Sequence, residues 1–216
     1  MIIIFWSNEK VKAFYKEFST KIGLDDTIAY FFDKITTISM AGYIPSVDDI
    51  LKVRIQTNSI IERTFESEGA LFKFYDVAGQ KDKRFRWVPY LQSSLKAIIY
   101  IMSIASFDQK MAEDPTMNRF IDALVLFESL MQSVPLKLVS TIVLFNKADL
   151  FQEKCKVIDF AKTIHHYKGK NTAKDILKFI SLEFKRKNTD EKRQLITHVT
   201  TGTDIKLMKS IIEKIT

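Results

Sequence analysis

Glycine is scarce: the chain has 6 in 216 residues, against a usual share of roughly 7%. That leaves little material for glycine-rich phosphate-binding loops. The single cysteine, Cys155, excludes a disulfide framework and fits a reducing compartment. No run approaches the roughly 20 apolar residues of a membrane-spanning helix. The opening Met1-Ile2-Ile3-Ile4-Phe5-Trp6 is too short for a signal peptide and lacks its basic flank. These absences predict a soluble, intracellular chain. What is present is a mixture of 27% charged and 46% hydrophobic residues. Such a mixture fills a core and argues against disorder. The length suits one domain, or one domain with a small appendage.

The net charge is +7. Basic residues gather in Lys81 to Arg86, in Lys168 to Lys174, and in Lys185-Arg186-Lys187 with Lys192-Arg193. Such runs are most often solvated surface, and no aromatic-interleaved nucleic-acid signature accompanies them. No nucleic-acid partner is expected.

The first fifty residues read as helical. Val11, Phe14, Tyr15 and Phe18 fall on one helical face, and Ile28, Phe31, Phe32, Ile35 and Ile38 repeat the pattern over three turns. Ser46 with Asp49 forms a capping box that opens a short helix through Leu51. From about residue 58 the texture changes. Ile60 to Phe65 and Leu71 to Tyr75 flank Glu66-Ser67-Glu68-Gly69 at hairpin spacing. Lys96 to Ile104 and Thr141 to Phe145 are near-continuous apolar runs, suited to strands buried on both faces of a parallel sheet. Met117 to Phe127 and Thr172 to Phe184 read as helices. Leu195 to Thr200 reads as a last strand, and Asp204 caps a final helix. Strands alternating with helices predict an α/β fold with a mainly parallel sheet.

In such sheets ligands bind beyond the carboxyl ends of the strands. Three strand ends carry polar clusters: Asp76-Val77-Ala78-Gly79-Gln80, Asn146-Lys147-Ala148-Asp149, and Thr200-Thr201-Gly202-Thr203-Asp204. Singly each is also a turn or helix cap; together and in this order they are specific. A carboxylate only accepts hydrogen bonds, so Asp149 suits the ring N–H and exocyclic amine of guanine, and adenine offers neither donor at that edge. Asn146 can bond the purine edge and tie neighbouring loops, and the Lys147 stem can cover the base. A small residue at Gly202 lets a backbone N–H approach the guanine carbonyl. The constellation predicts a guanine pocket.

With these motifs the chain resembles the alpha subunits of heterotrimeric G proteins. The resemblance extends through Tyr43-Ile44-Pro45, the run Asp49 to Thr57, Arg86-Trp87, Ala112-Glu113-Asp114 with Met117-Asn118-Arg119, and Asn146 to Phe151. It implies a Ras-like P-loop NTPase sheet preceded by a remnant of the all-helical domain, with residues 1–50 as the remnant and 51–216 as the incomplete GTPase domain. It implies GTP or GDP with Mg²⁺ as ligands. Arg54 matches the internal arginine finger, and Gln80 the residue that orients the attacking water. Thr57 and Asp76 match the Mg²⁺-supporting positions. Asp26, Thr27, Leu51, Lys52, Val53, Val77, Ala78 and Gly79 match the nucleotide's surroundings, with Asn146 to Asp149 and Gly202 at the base. The implied partners are βγ-like subunits, a receptor and an effector. The implied place is the cytoplasm, at the inner face of the plasma membrane through those partners.

The chain also departs from the family pattern. None of its six glycines opens a Gly-x-x-x-x-Gly-Lys-Ser loop, and the first strand that would carry it is missing. This predicts weak nucleotide binding and leaves sheet edges unpaired, with Met1 to Phe5 as a candidate substitute strand. Ala78 replaces a family glycine, Pro89 enters the switch-II helix, and residue 2 is isoleucine rather than a lipidated glycine. Two functions follow as expectations. One is a GTP-binding and GTP-hydrolysing signal transducer, whole or part of a longer product. The other is a pseudo-GTPase module that engages βγ-like or effector partners without turnover.

Overall fold

The computed structural model describes residues 1–19, 24–55, 57, 59–67, 69–91, 95–111 and 113–215. Gln56 and Ala112, which belong to the family-like runs, lie outside the described residues. Two compact units emerge, one joining Met1–Lys52 to Ala97–Thr216 and one formed by Val53–Lys96.

The N-terminal segment is helical, as its periodicity predicts, with two corrections. Ile2–Trp6 forms helix α1, so Met1 to Phe5 is no substitute strand. The anchor is Trp6, which is buried, packs edge-on against Tyr15 and Phe32, and donates from Nε1 to Asp33 Oδ1 at 2.7 Å. Helix α2, Glu9–Phe18, starts at Asn8, whose side chain accepts from the Lys10 N–H. The second periodic run is not one helix. It splits into α3, Ile28–Asp33, and α4, Ile35–Ile38. Lys34 marks the break, with its backbone in the bridge region at φ −93° and ψ 5°.

Lys34 serves a larger cluster. Helix α5, Val47–Lys52, opens with the predicted capping box: the Ser46 N–H reaches Asp49 Oδ2 at 2.7 Å, and the Asp49 N–H reaches Ser46 Oγ at 3.3 Å. The Asp49 side chain is buried and takes further hydrogen bonds from Lys34 Nζ at 2.6 Å, Tyr30 Oη at 2.8 Å, Tyr43 Oη at 2.5 Å and Ser46 Oγ at 2.6 Å. The Lys34 contact foremost, then Ser46 and Tyr43, hold the Asp49 carboxyl well below the usual carboxylate range. One short-range carboxylate thus joins α3, the α4–α5 loop and α5.

In the smaller unit, β1, Ile61–Ser67, pairs antiparallel with β2, Ala70–Asp76. Pairing runs out to Ser67 with Ala70, so the predicted four-residue connection tightens to two. Gly69 takes φ 77°, the positive value that such tight hairpin turns require. A 3₁₀ segment, Lys81–Trp87, leads into the short helix α6, Val88–Leu91. Pro89 lies in the first turn of α6, where a missing N–H costs no intrahelical bond.

In the larger unit, β3, Ala97–Ser103, is followed by α7, Arg119–Gln132, β4, Ser140–Asn146, and α8, Ala148–Val157. Then come α9, Phe160–Thr163, α10, Ala173–Lys187, β5, Leu195–Val199, and α11, Ile205–Ile215. The strands form a parallel sheet in the order β3-β4-β5, so the fold is α/β as expected. Central β4 is buried on both faces. Its Ile142 and Leu144 pack with Ile211 and Met208 of α11, while Phe145 meets Phe184 of α10. That two-sided burial is why its sequence is continuously apolar. Strand β3 corrects the prediction of equal burial. Tyr100 packs on Phe127, but Ile99 and Ile101 are exposed, Ile101 by 61%. On their face, α11 packs on β4 and β5.

Candidate functional site

The predicted residues fall into two groups, one in each unit. In the larger unit the site grows from the end of β4. Asn146 closes that strand, and its Oδ1 accepts from the Gly202 N–H at 2.8 Å and from Thr200 Oγ1 at 3.1 Å. The Thr200 N–H donates to the Phe145 carbonyl, and the Ala148 N–H to the Thr200 carbonyl. One carboxamide therefore ties the β4–α8 turn to the loop after β5. The approach is close: a Cβ at Gly202 would stand 3.3 Å from Asn146 Nδ2. Thr200, 1% exposed, escaped the sequence assignment of roles. Its position directly after the last strand was the available signal.

Lys147 takes φ 63° and ψ 43°, and among the described residues it alone has positive φ without being glycine. Such strained residues gather at functional sites. Its ammonium meets the Asp26 carboxylate at 2.5 Å. Beside Asp26, Asp25 Oδ1 accepts from both the N–H and hydroxyl of Thr27 and so fixes the start of α3. The ion pair is part-exposed and worth at most about 1 kcal/mol, so its value is positional. Ala148 is buried, whereas Asp149 in the first turn of α8 is exposed. Among the described residues none donates a side-chain hydrogen bond to the Asp149 carboxylate, leaving its acceptor capacity for a ligand. Leu51 and Lys52 end α5, with the Lys52 ammonium 5.2 Å from the Tyr30 ring. Cys155, buried in α8, has its thiol pushed up to about 11 by burial, which removes it as a nucleophile at neutral pH.

In the smaller unit, Thr57 Oγ1 donates to Asp76 Oδ2 at 3.3 Å, so the two predicted metal-supporting residues meet. After Asp76 the chain folds back on itself. The Ala78 carbonyl accepts from Trp87 Nε1 at 2.9 Å, and the Gly79 carbonyl from Arg84 Nε at 3.1 Å. Gln80, half-buried, starts the 3₁₀ segment. Val53 and Arg54 are exposed.

Over residues 1–216 the chain matches the family model described as G-protein alpha subunit. The chain belongs to the G-protein alpha subunit family. Among its relatives, the guanine nucleotide-binding protein alpha-15 subunit of Caenorhabditis elegans is 34% identical over 191 residues, covering 88% of this chain and 53% of the relative. The alpha-7 subunit of the same nematode is 31% identical over 208 residues, covering 96% and 58%. Its alpha-4 subunit is 29% identical over 214 residues, covering 98% and 59%. The chain thus spans between half and three-fifths of the length of these G-protein alpha relatives. No described helix is long and apolar enough to cross a membrane.

Proposed function

We propose that this chain is a G-protein alpha-type signal transducer that recognises guanine nucleotide and, in its complete setting, hydrolyses GTP. The observation that carries the reading is the Asn146 carboxamide bridging two loops beside a left-handed Lys147 and an open Asp149 carboxylate. That arrangement presents an acceptor to the donor edge of guanine. Thr57 and Asp76 are hard oxygen donors, the chemistry that suits Mg²⁺, and the bound ion would neutralise phosphate charge. Arg54 offers a guanidinium to the transferring γ-phosphate, and Gln80 orients the attacking water. Residues 1–50 are assigned to the remnant helical domain and 51–216 to the Ras-like domain. The partners are βγ-like subunits, a receptor and an effector, met at the cytoplasmic face of the plasma membrane.

A second reading, a module that engages βγ-like or effector partners without turnover, is the alternative that an assay of turnover decides. Phosphate release at millimolar GTP and Mg²⁺ separates the two. Catalysis by Arg54 predicts a loss of about 100-fold or more in Arg54→Ala, and a comparable loss in Gln80→Leu. Release indistinguishable from a buffer blank when the unaltered protein is assayed in its complete setting, with guanine binding intact, would favour the module.

A further inference from the structure

Helix α10 buries Ile176, Ile180 and Phe184 and turns a different chemistry outward. Lys174, Lys178, Leu182 and Lys185 are all exposed and recur at helical spacing, so they form one stripe about 16 Å long. The loop that packs beside it extends the charge. His166 and Tyr167 pack at steep angles against Phe179 of α10, which brings Lys170 beside Lys178, and Lys168 and Lys170 are both exposed. Between loop and helix lies a shallow hollow of about 400 Å³, lined by Tyr167, Lys170, Asp175, Lys178, Phe179 and Leu182.

None of Lys168, Lys170, Lys174, Lys178 or Lys185 forms an ion pair with a described residue. The nearby carboxylates are engaged: Asp175 accepts from the Thr172 hydroxyl at 2.7 Å, and Glu183 from Arg186 at 2.6 Å. The Tyr167 hydroxyl is likewise occupied, donating to the Lys170 carbonyl at 2.6 Å. The outward face is therefore cationic, five lysines against the Asp175 carboxylate, around the exposed Leu182 side chain.

We infer that this α10 face is a docking surface for an anionic lipid bilayer. Three features select a bilayer over other polyanions. The five unpaired cations are all lysines, point charges on long flexible stems, which suit a diffuse anionic plane. Bidentate capture of a single phosphate favours arginine. The charges spread along the helix length instead of converging on one pocket. Leu182, 44% exposed, stands among them beside the Tyr167 and Phe179 rings of the hollow, an apolar side chain able to enter the lipid interface between the charges. Nucleic acid fits less well, because Tyr167 is buried and no exposed aromatic platform accompanies the lysines. The inference does not depend on nucleotide recognition.

Vesicle flotation with the full chain tests it. Binding to phosphatidylcholine vesicles containing roughly 30% phosphatidylserine should exceed binding to phosphatidylcholine alone by about tenfold or more. It should also fall steeply when salt rises to about 0.5 M. The triple variant Lys174→Glu/Lys178→Glu/Lys185→Glu should lose that preference, and Lys→Gln at the same positions should reduce it. A charge-matched reversal on α2, at Lys10, Lys12 and Lys16, should retain most of it. Circular dichroism of each variant checks folding. Equal binding to neutral vesicles, or a triple variant that binds as before, overturns the inference. So does a chain that ignores vesicles and instead binds a poly-glutamate peptide through these same lysines, which would assign the face to an acidic protein segment.

Discussion

Replacing Asp149 with asparagine is expected to move the base preference from guanine to xanthine. The Asp149 carboxylate only accepts, matching the two donors on the guanine edge, and among the described residues none competes for it. Asparagine places an amide donor there, which opposes the guanine amine and complements the carbonyl that xanthine carries instead. Hydrogen bonds to a charged group are worth about 1.5–3 kcal/mol each, so losing the one to the guanine amine should weaken GDP by roughly 10- to 100-fold. The xanthine nucleotide should gain in the same variant, and Asp149→Ala should weaken guanine without that gain. Competition of GDP and its xanthine counterpart against a fluorescent guanine nucleotide reads the ratio directly. A ratio unmoved by Asp149→Asn would remove Asp149 from base recognition.

The largest effect on stability is expected at Phe184. The ring is fully buried and lies 4.8 Å from Phe127, 5.3 Å from Phe145 and 6.1 Å from Tyr100, centroid to centroid. It therefore joins α10 to α7 and to the two parallel strands β3 and β4. Truncation to alanine removes the transfer energy of the ring and leaves a cavity, at a cost of about 3–5 kcal/mol. Set against a typical total of about 5–15 kcal/mol, that is a large share of the fold's stability. Urea unfolding should show a lower midpoint with an unchanged slope. Leu138→Ala, at a side chain 68% exposed, should stay within about 0.5 kcal/mol of the parent. Equal costs at the two positions would contradict this view of the core.

Local signals carried well from sequence to structure. The Ser46 and Asp49 capping box forms, Thr172 with Asp175 starts α10, and the Leu207 N–H bonds Asp204 Oδ1 at the head of α11. Each is a short-range interaction between residues three apart. The apolar run of β4 was legible because both of its faces are covered. The failures share a cause, which is that long-range packing overrides local pattern. Met1 to Phe5 reads as a strand by composition, yet Trp6 docks it as a helix against Tyr15 and Phe32. The exposure of Ile99 and Ile101 depends on which strands α11 covers, and nothing within β3 records that. At the site, the residue types at the strand ends were readable. The Asp26–Lys147 pair spans 121 positions, and the Thr200 hydroxyl on Asn146 spans 54. No periodicity encodes contacts at such separations.

In the proposed function the chain keeps a base-recognition half-site while its own residues supply no glycine-rich phosphate loop. Titration of the 216-residue chain with fluorescent GDP and GTP, with and without Mg²⁺ and against ATP as competitor, tests it most directly. The predicted result is weak binding that GDP and GTP displace and ATP does not. Tight, Mg²⁺-dependent binding would contradict the phosphate half of the claim, and equal displacement by ATP would contradict the base half.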